Sequence, residues 1–223
     1  KFAQLAEFVE RDIIEPHGID GRLRLGVSET IAQSWLPEYI TEMRQKYPKL
    51  EIDINVDISS NLREALLERK VDLAILLGPI SEYTVDNIEL PVFELVWYMS
   101  SDMSFSDNIF RDNPVVAYAR NTRPYRELKS ELFNRIGPNV SLFPSSSLSA
   151  CLRLVETGLG VAALPKILGD DLVKKDLIKE FDPGWRPSPL NFTASYLSDS
   201  PSHLVETAAN IAKNVSLAFF SDK

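Results

Sequence analysis

GRLRLGVSETIAQSWLPEYITEMRQKY, residues 21–47, passes from a two-residue period to a helical one. Leu23, Leu25 and Val27 alternate with Arg22, Arg24 and Gly26, the pattern of a short strand. Ser28, Glu29 and Thr30 follow, with side-chain oxygens where a helix needs an N-cap. Trp35, Leu36, Tyr39, Ile40, Met43 and Tyr47 then recur every three or four residues, which predicts a helix with one apolar face. The unpaired N–H groups and the positive dipole end of such a helix suit an anion. Capping alone also explains Ser28 and Thr30, and this stretch by itself does not choose between the two.

The alternation continues outward from this stretch. Leu50 to Asp57 reads as a second strand, and Ser59 and Ser60 are placed to cap a helix through Leu62, Ala65, Leu66 and Leu67. Val71 to Leu77 is a near-continuous apolar run, expected of a central parallel strand buried on both faces. It stops at Gly78-Pro79, a turn. Ile88 to Ser100 reads as one long extended segment. The series then restarts, with strands at Val115 to Tyr118, Val140 to Phe143 and Val161 to Leu164. Helices are expected over Pro124 to Ile136 and from Leu148 to Val155, the second behind Ser145-Ser146-Ser147. Pro165 opens another helix, Leu177 to Phe181 is an edge strand, and Asn191 to Leu197 a further strand. Pro201 to Phe220 is a long closing helix, and Lys1 to Ile14 an amphipathic helix ahead of the whole series. Two β-α-β-α-β series, from about 21 to 77 and about 114 to 164, make the expected class α/β. The architecture is two doubly wound α/β subdomains with a hinged cleft, subdomain I over 19–99 and 192–223, subdomain II over 100–191. Ligands in such sheets bind beyond the carboxyl ends of the strands.

The chain has 24 Lys and Arg against 32 Asp and Glu, a net charge of −8, and no basic run. It is therefore not expected to grip nucleic acid itself, which takes clustered cations. Cys151 is the only cysteine, so neither an internal disulfide nor a cysteine-based zinc cluster can form. No apolar run approaches the ~20 residues of a membrane span. The N-terminus lacks the apolar centre of a signal peptide, and a cytoplasmic location is expected.

GRLRLGVS over Gly21 to Ser28, Leu36-Pro37, Tyr47-Pro48, Val71-Asp72-Leu73-Ala74-Ile75 and Gly78-Pro79 resemble a known family when taken together. The most specific piece is SSSLSACLRLVETGLGVAALP, Ser145 to Pro165. These pieces are similar to the effector-binding domain of LysR-type transcriptional regulators, and the resemblance covers nearly everything from Gly21 to Phe220. It implies the fold of type 2 periplasmic binding proteins, with a small-molecule effector in the cleft. It also implies homodimers that pair into tetramers, and DNA contact only through a winged helix-turn-helix domain outside this sequence. Residues 1–18 then correspond to the C-terminal part of a linker helix. A solute-binding protein of a transport system, which shares the fold, is the alternative.

The expected effector-binding residues are Ser28, Glu29 and Thr30, Gly78 and Pro79, Ala119 and Arg120, and Phe143 with Ser145, Ser146 and Ser147. Two hydroxyl clusters at strand ends favour a carboxylate-bearing ligand. Arg120 and Arg123 can offer a fork to it, or stand solvated. Trp35, Tyr98, Phe143 and Tyr196 belong either to the pocket or to the core. His17 and His203 have no ligand partner at metal spacing, so no metal is expected. Gly158-Leu159-Gly160 follows a helix rather than opening one, which argues for a cap and turn and against a dinucleotide loop. With no nucleophile elbow and no base beside Ser28 or Ser147, neither catalysis nor a cofactor is expected.

Overall fold

The structure, a computed structural model, describes residues 21–199 and 202–221. The amphipathic Lys1 to Ile14 segment, and with it the linker-helix assignment of 1–18, lies outside the described residues. In chain order come β1 (Arg22–Val27), α1 (Glu29–Ala32), α2 (Leu36–Lys46), β2 (Glu51–Val56), α3 (Ser59–Leu67), β3 (Leu73–Leu77) and β4 (Val85–Glu89). Then follow β5 (Leu95–Ser100), α4 (Ile109–Asp112), β6 (Val115–Tyr118), α5 (Arg123–Arg135), β7 (Leu142–Ser145), α6 (Leu148–Glu156), β8 (Val161–Pro165), α7 (Lys166–Lys174) and β9 (Ile178–Phe181). The chain closes with β10 (Phe192–Leu197) and α8 (His203–Ser221). The described residues form two compact units, the second being Val92–Leu190 and the first everything on either side of it.

Unit 1 has a five-stranded sheet in the order β2-β1-β3-β10-β4. β1 runs parallel to β2 and β3, whereas β10 is antiparallel to both its neighbours. Alternation along β1 puts Leu23, Leu25 and Val27 wholly inside. On the opposite face Gly26 leaves room for Leu62 of α3, since a Cβ there would stand 3.0 Å from it. Leu62 and Leu66 of α3 pack with Ala74 and Leu76 of β3 and with Val71. Arg24 closes the start of β1 against β3. Its guanidinium donates to both oxygens of Asp72, and its backbone N–H donates to Asp72 Oδ2 at 2.8 Å. The hydrogen bond to Asp72 is the main reason the Arg24 pKa is raised.

Unit 2 repeats that arrangement of strand directions with a different chain order, its inner antiparallel strand coming first. Its order is β7-β6-β8-β5-β9, with β6 parallel to β7 and β8 and with β5 antiparallel to β8 and β9. Val115 and Ala117 of β6 face α5, whose Tyr125, Leu128 and Leu132 pack with Trp97 and Ala163. Val116 faces the other way, towards Cys151, Leu152 and Val155 of α6, with Tyr98, Ala162 and Leu164. The turn after α6 is built by its two glycines. Gly158 takes φ +73°, while Gly158 N–H and Leu159 N–H donate to Val155 O and Leu154 O at 3.0 Å each, the bonding of a Schellman cap. At Gly160 a Cβ would meet the carbonyl oxygen of Pro114 at 2.6 Å.

Several expectations need correction. The helix expected from Ser28 through Tyr47 is two helices, because Pro37 can sit only in a first turn, and α2 duly starts at Leu36 with Trp35 as its N-cap. The extended Ile88 to Ser100 segment is split into β4 and β5, which belong to different sheets. β5 therefore pairs within unit 2, whose contacts run over Val92–Leu190. β7 lies two residues later than expected and includes Pro144, which an edge strand tolerates. α3 is capped at Ile58. Ser59 Oγ instead accepts from Leu77 N–H at 2.9 Å, tying the helix start to the end of β3.

Candidate functional site

In unit 1 the expected residues gather where β1 and β3 end side by side. Ser28 N–H donates to Ile75 O at 3.0 Å, one residue beyond the pairing of Val27 with Ile75. Ser28 is 8% exposed. Its Oγ is buried and finds no hydrogen-bond partner among the described residues. It makes no cap bond to α1, which has only four residues, so the helix-dipole argument fails at this position. Thr30 is buried as well, and its carbonyl accepts from Ser34 Oγ at 2.8 Å. Glu29 is half-buried and accepts from Gln33 Nε2 at 2.7 Å. Gly78 follows β3 and its N–H donates to Asn191 O at 3.2 Å. A Cβ on Gly78 would collide with the Thr193 side chain, and Pro79 beyond it is exposed.

Thr193 belongs to a buried polar chain that periodicity does not reveal. Its Oγ1 lies 2.8 Å from Ser195 Oγ, which donates to Asn87 Oδ1 at 2.8 Å. The same Asn87 oxygen accepts from Ile80 N–H at 2.9 Å, and Asn87 Nδ2 donates to Ile80 O at 3.0 Å. With the Ser195 proton given to Asn87, Thr193 must be the donor between the two hydroxyls. The chain holds the 78–80 turn against β10 and β4.

In unit 2 the register pairs Tyr118 with Ser145, so Ala119-Arg120 and Ser146-Ser147 leave the sheet as neighbours. Ser147 caps α6, its Oγ accepting from Ala150 N–H at 3.3 Å. Ser145 Oγ closes on the same turn, accepting from Ser147 N–H and donating to Ser147 O, both at 3.1 Å. Ser146 is exposed. The Arg120 guanidinium lies 5.9 Å from the Tyr125 ring centroid and donates to its hydroxyl at 3.2 Å. Phe143, on edge strand β7, is 46% exposed. Trp35, Tyr98 and Tyr196 are buried in their own units. Tyr39, Ser101 and Tyr118 also carry buried hydroxyl oxygens without a partner among the described residues, Tyr118 at the end of β6. Burial, with Cys151 nearby, pushes the Tyr118 phenol well above its ordinary range.

Residues 16–216 match the family model described as LysR substrate binding domain. The chain is a member of the LysR substrate-binding domain family. The HTH-type transcriptional regulator YofA of Bacillus velezensis is 25% identical over 165 residues, 74% of this chain and 57% of that protein. YofA of Bacillus subtilis is 27% identical over 147 residues, 66% of this chain and 50% of that protein. This LysR domain thus spans about half the length of the curated relatives it matches, which are HTH-type transcriptional regulators. Among solved structures, the bromide-bound regulatory domain of HypT from Salmonella typhimurium superposes with TM-score 0.75 at 15% identity, covering 92% of this chain and all of that one. The regulatory domain of MetR from N. meningitidis does so with TM-score 0.69 at 19% identity, covering 90% and 96%. A sulfate-bound mutant OxyR2 regulatory domain from Vibrio vulnificus gives 0.70 at 18% identity, covering 91% and 98%. The LysR fold is therefore shared with all three. In the LysR domain described here, no helix among the described residues is long and apolar enough to cross a membrane.

Proposed function

We propose that this chain is the effector-sensing domain of a cytoplasmic transcriptional regulator, and that its effector is a small carboxylate-bearing molecule held at the carboxyl ends of the strands, beside Ser28. The observation that carries this reading is Ser28. A buried hydroxyl without a partner costs roughly 1–3 kcal/mol, and of the four such hydroxyls among the described residues Ser28 is the one at the paired ends of β1 and β3. Within unit 1 the same strand ends offer Gly78 with its polar backbone; unit 2 offers an anion its own groups, the turn at Ala119-Arg120 and the N-terminus of the nine-residue α6. The bromide-bound HypT domain and the sulfate-bound OxyR2 domain support an anion as the kind of ligand such a domain accepts. Binding can redirect the regulator only through different affinities for two arrangements of the domain. DNA contact belongs to a part of the regulator outside this chain.

Self-association is part of the same reading. β2 is an edge strand exposing Ile54 and Val56, and β7 is an edge strand exposing Phe143. These are the segments through which the family resemblance implies antiparallel pairing of two copies.

The test is a thermal-shift screen of small carboxylates, followed by calorimetry on Ser28→Ala. A carboxylate hit is expected to lose about tenfold or more in affinity, since a hydrogen bond to a charged group contributes roughly 1.5–3 kcal/mol. The melting temperature without ligand is expected to hold or rise, because the variant removes an orphaned polar atom. Unchanged affinity with a lower melting temperature would show Ser28 to be structural and put the effector elsewhere.

A further inference from the structure

We infer that unit 2 carries a second ligand site of its own, a cavity that takes a small protonated amine on an apolar body. The cavity, about 210 Å³, lies beside α5 and the 187–190 segment. Its volume falls below the roughly 300 Å³ at which drug-sized pockets begin, so the occupant is small. Leu95, Leu128, Ala163 and Leu190 supply apolar wall. The charges it presents come from Glu127 and Glu131, one turn apart on α5, and among the described residues lining it there is no lysine, arginine or histidine.

Each carboxylate has an arginine neighbour outside the cavity. Arg123 lies 3.6 Å from Glu127, and Arg135 lies 2.8 Å from Glu131. Arg135 is further held 4.8 Å from the Trp185 ring centroid. Neither arginine lines the cavity, and both ion pairs are half-exposed, so a bound ammonium competes with Arg123 and Arg135 for carboxylates that those arginines hold only weakly. Apolar wall with a carboxylate rim is the complement of an ammonium group on a hydrocarbon. The position matters too. Phe93 and Leu190 exchange backbone hydrogen bonds of 3.0 and 2.9 Å, and they lie just after the chain enters unit 2 and just before it leaves. An occupant touching Leu95 and Leu190 therefore rests on both of those segments.

This inference does not depend on the anion reading. Its test titrates benzylamine into the isotope-labelled 223-residue chain, followed by amide NMR shifts, with benzyl alcohol and benzoate as neutral and anionic counterparts. Benzylamine is expected to shift α5 and 187–190 saturably, and benzyl alcohol to bind there at least about threefold more weakly, the scale of a half-exposed charge pair. Benzoate is expected to leave those amides unmoved. Glu127→Gln with Glu131→Gln is expected to weaken benzylamine at least about threefold. Ser188→Trp, at an exposed position on the lining, is expected to abolish binding, and it decides the matter if the double variant does not fold. Benzylamine shifts confined to other elements, equal affinity for the alcohol, or full binding by Ser188→Trp would each overturn the proposal.

Discussion

A hydroxyl that builds the fold and one that meets a ligand differ in what their oxygens already hold. Ser147 Oγ is engaged with Ala150 N–H and lies 2.9 Å from Ser149 Oγ, and Ser145 Oγ is committed to the Ser147 backbone. Ser28 Oγ is buried and has neither kind of engagement. Tyrosines give a second test at this scale. Burial pushes the phenols of Tyr39, Tyr98 and Tyr118 above their ordinary range. Their folded values lie above the unfolded value of about 10. The stability tied to their neutral forms is therefore intact below about pH 10 and is lost as the pH rises towards the folded values. Tyrosinate absorbance followed together with circular dichroism is expected to show fewer than the seven tyrosines of the sequence titrating before the fold is lost. Seven tyrosinates in a still-folded protein would contradict the burial.

At the scale of elements, the turn from α6 into β8 sets a sharp requirement. Gly160→Ala is expected to destabilise by about 1–3 kcal/mol, the usual penalty for overpacking, because the group in its way is the Pro114 backbone. Gly158→Ala is expected to cost about 1 kcal/mol, a matter of backbone conformation alone. Urea unfolding of the two variants measures both, and an undisturbed Gly160→Ala would mean that β6 and β8 part more easily than their pairing indicates. The Gly-Leu-Gly reading as a cap and turn was available because a glycine after an apolar helix has few other uses. Strands and helices of both units were legible for the same reason, their periods being set by burial on a known face. The break between α1 and α2 was not, since the apolar spacing from Trp35 to Tyr47 is equally consistent with one helix and only the geometry of Pro37 divides it. For the candidate site, residue types and strand ends were legible, but which hydroxyls the fold itself consumes was not. That depends on local pairings such as Ser145 with Ser147, which spacing does not encode. The Thr193–Ser195–Asn87 chain joins residues over a hundred positions apart and left no pattern at all.

For the whole molecule, pairing of two copies through β2, β7 and their neighbouring helices predicts a species of twice the chain mass in sedimentation at micromolar concentration. Ile54→Lys with Val56→Lys, both on an exposed edge strand, is expected to shift it to the single-chain mass while leaving the melting temperature within a few degrees, since neither side chain belongs to the core. A parent chain that sediments only at the single mass would remove β2 from consideration as an interface. The sheet orders carry one more implication, for the way this protein is made. Unit 2 has all of its strands once β9 ends at Phe181, and its residues are continuous. In unit 1, β4 bonds to the sheet only through β10, and β10 begins at Phe192. On a ribosome the later-starting unit is thus able to fold while the earlier one still waits for its fifth strand. Through that interval β3 and β4 must be kept from pairing with neighbouring nascent chains, so synthesis rate and chaperone access will bear on unit 1 far more than on unit 2.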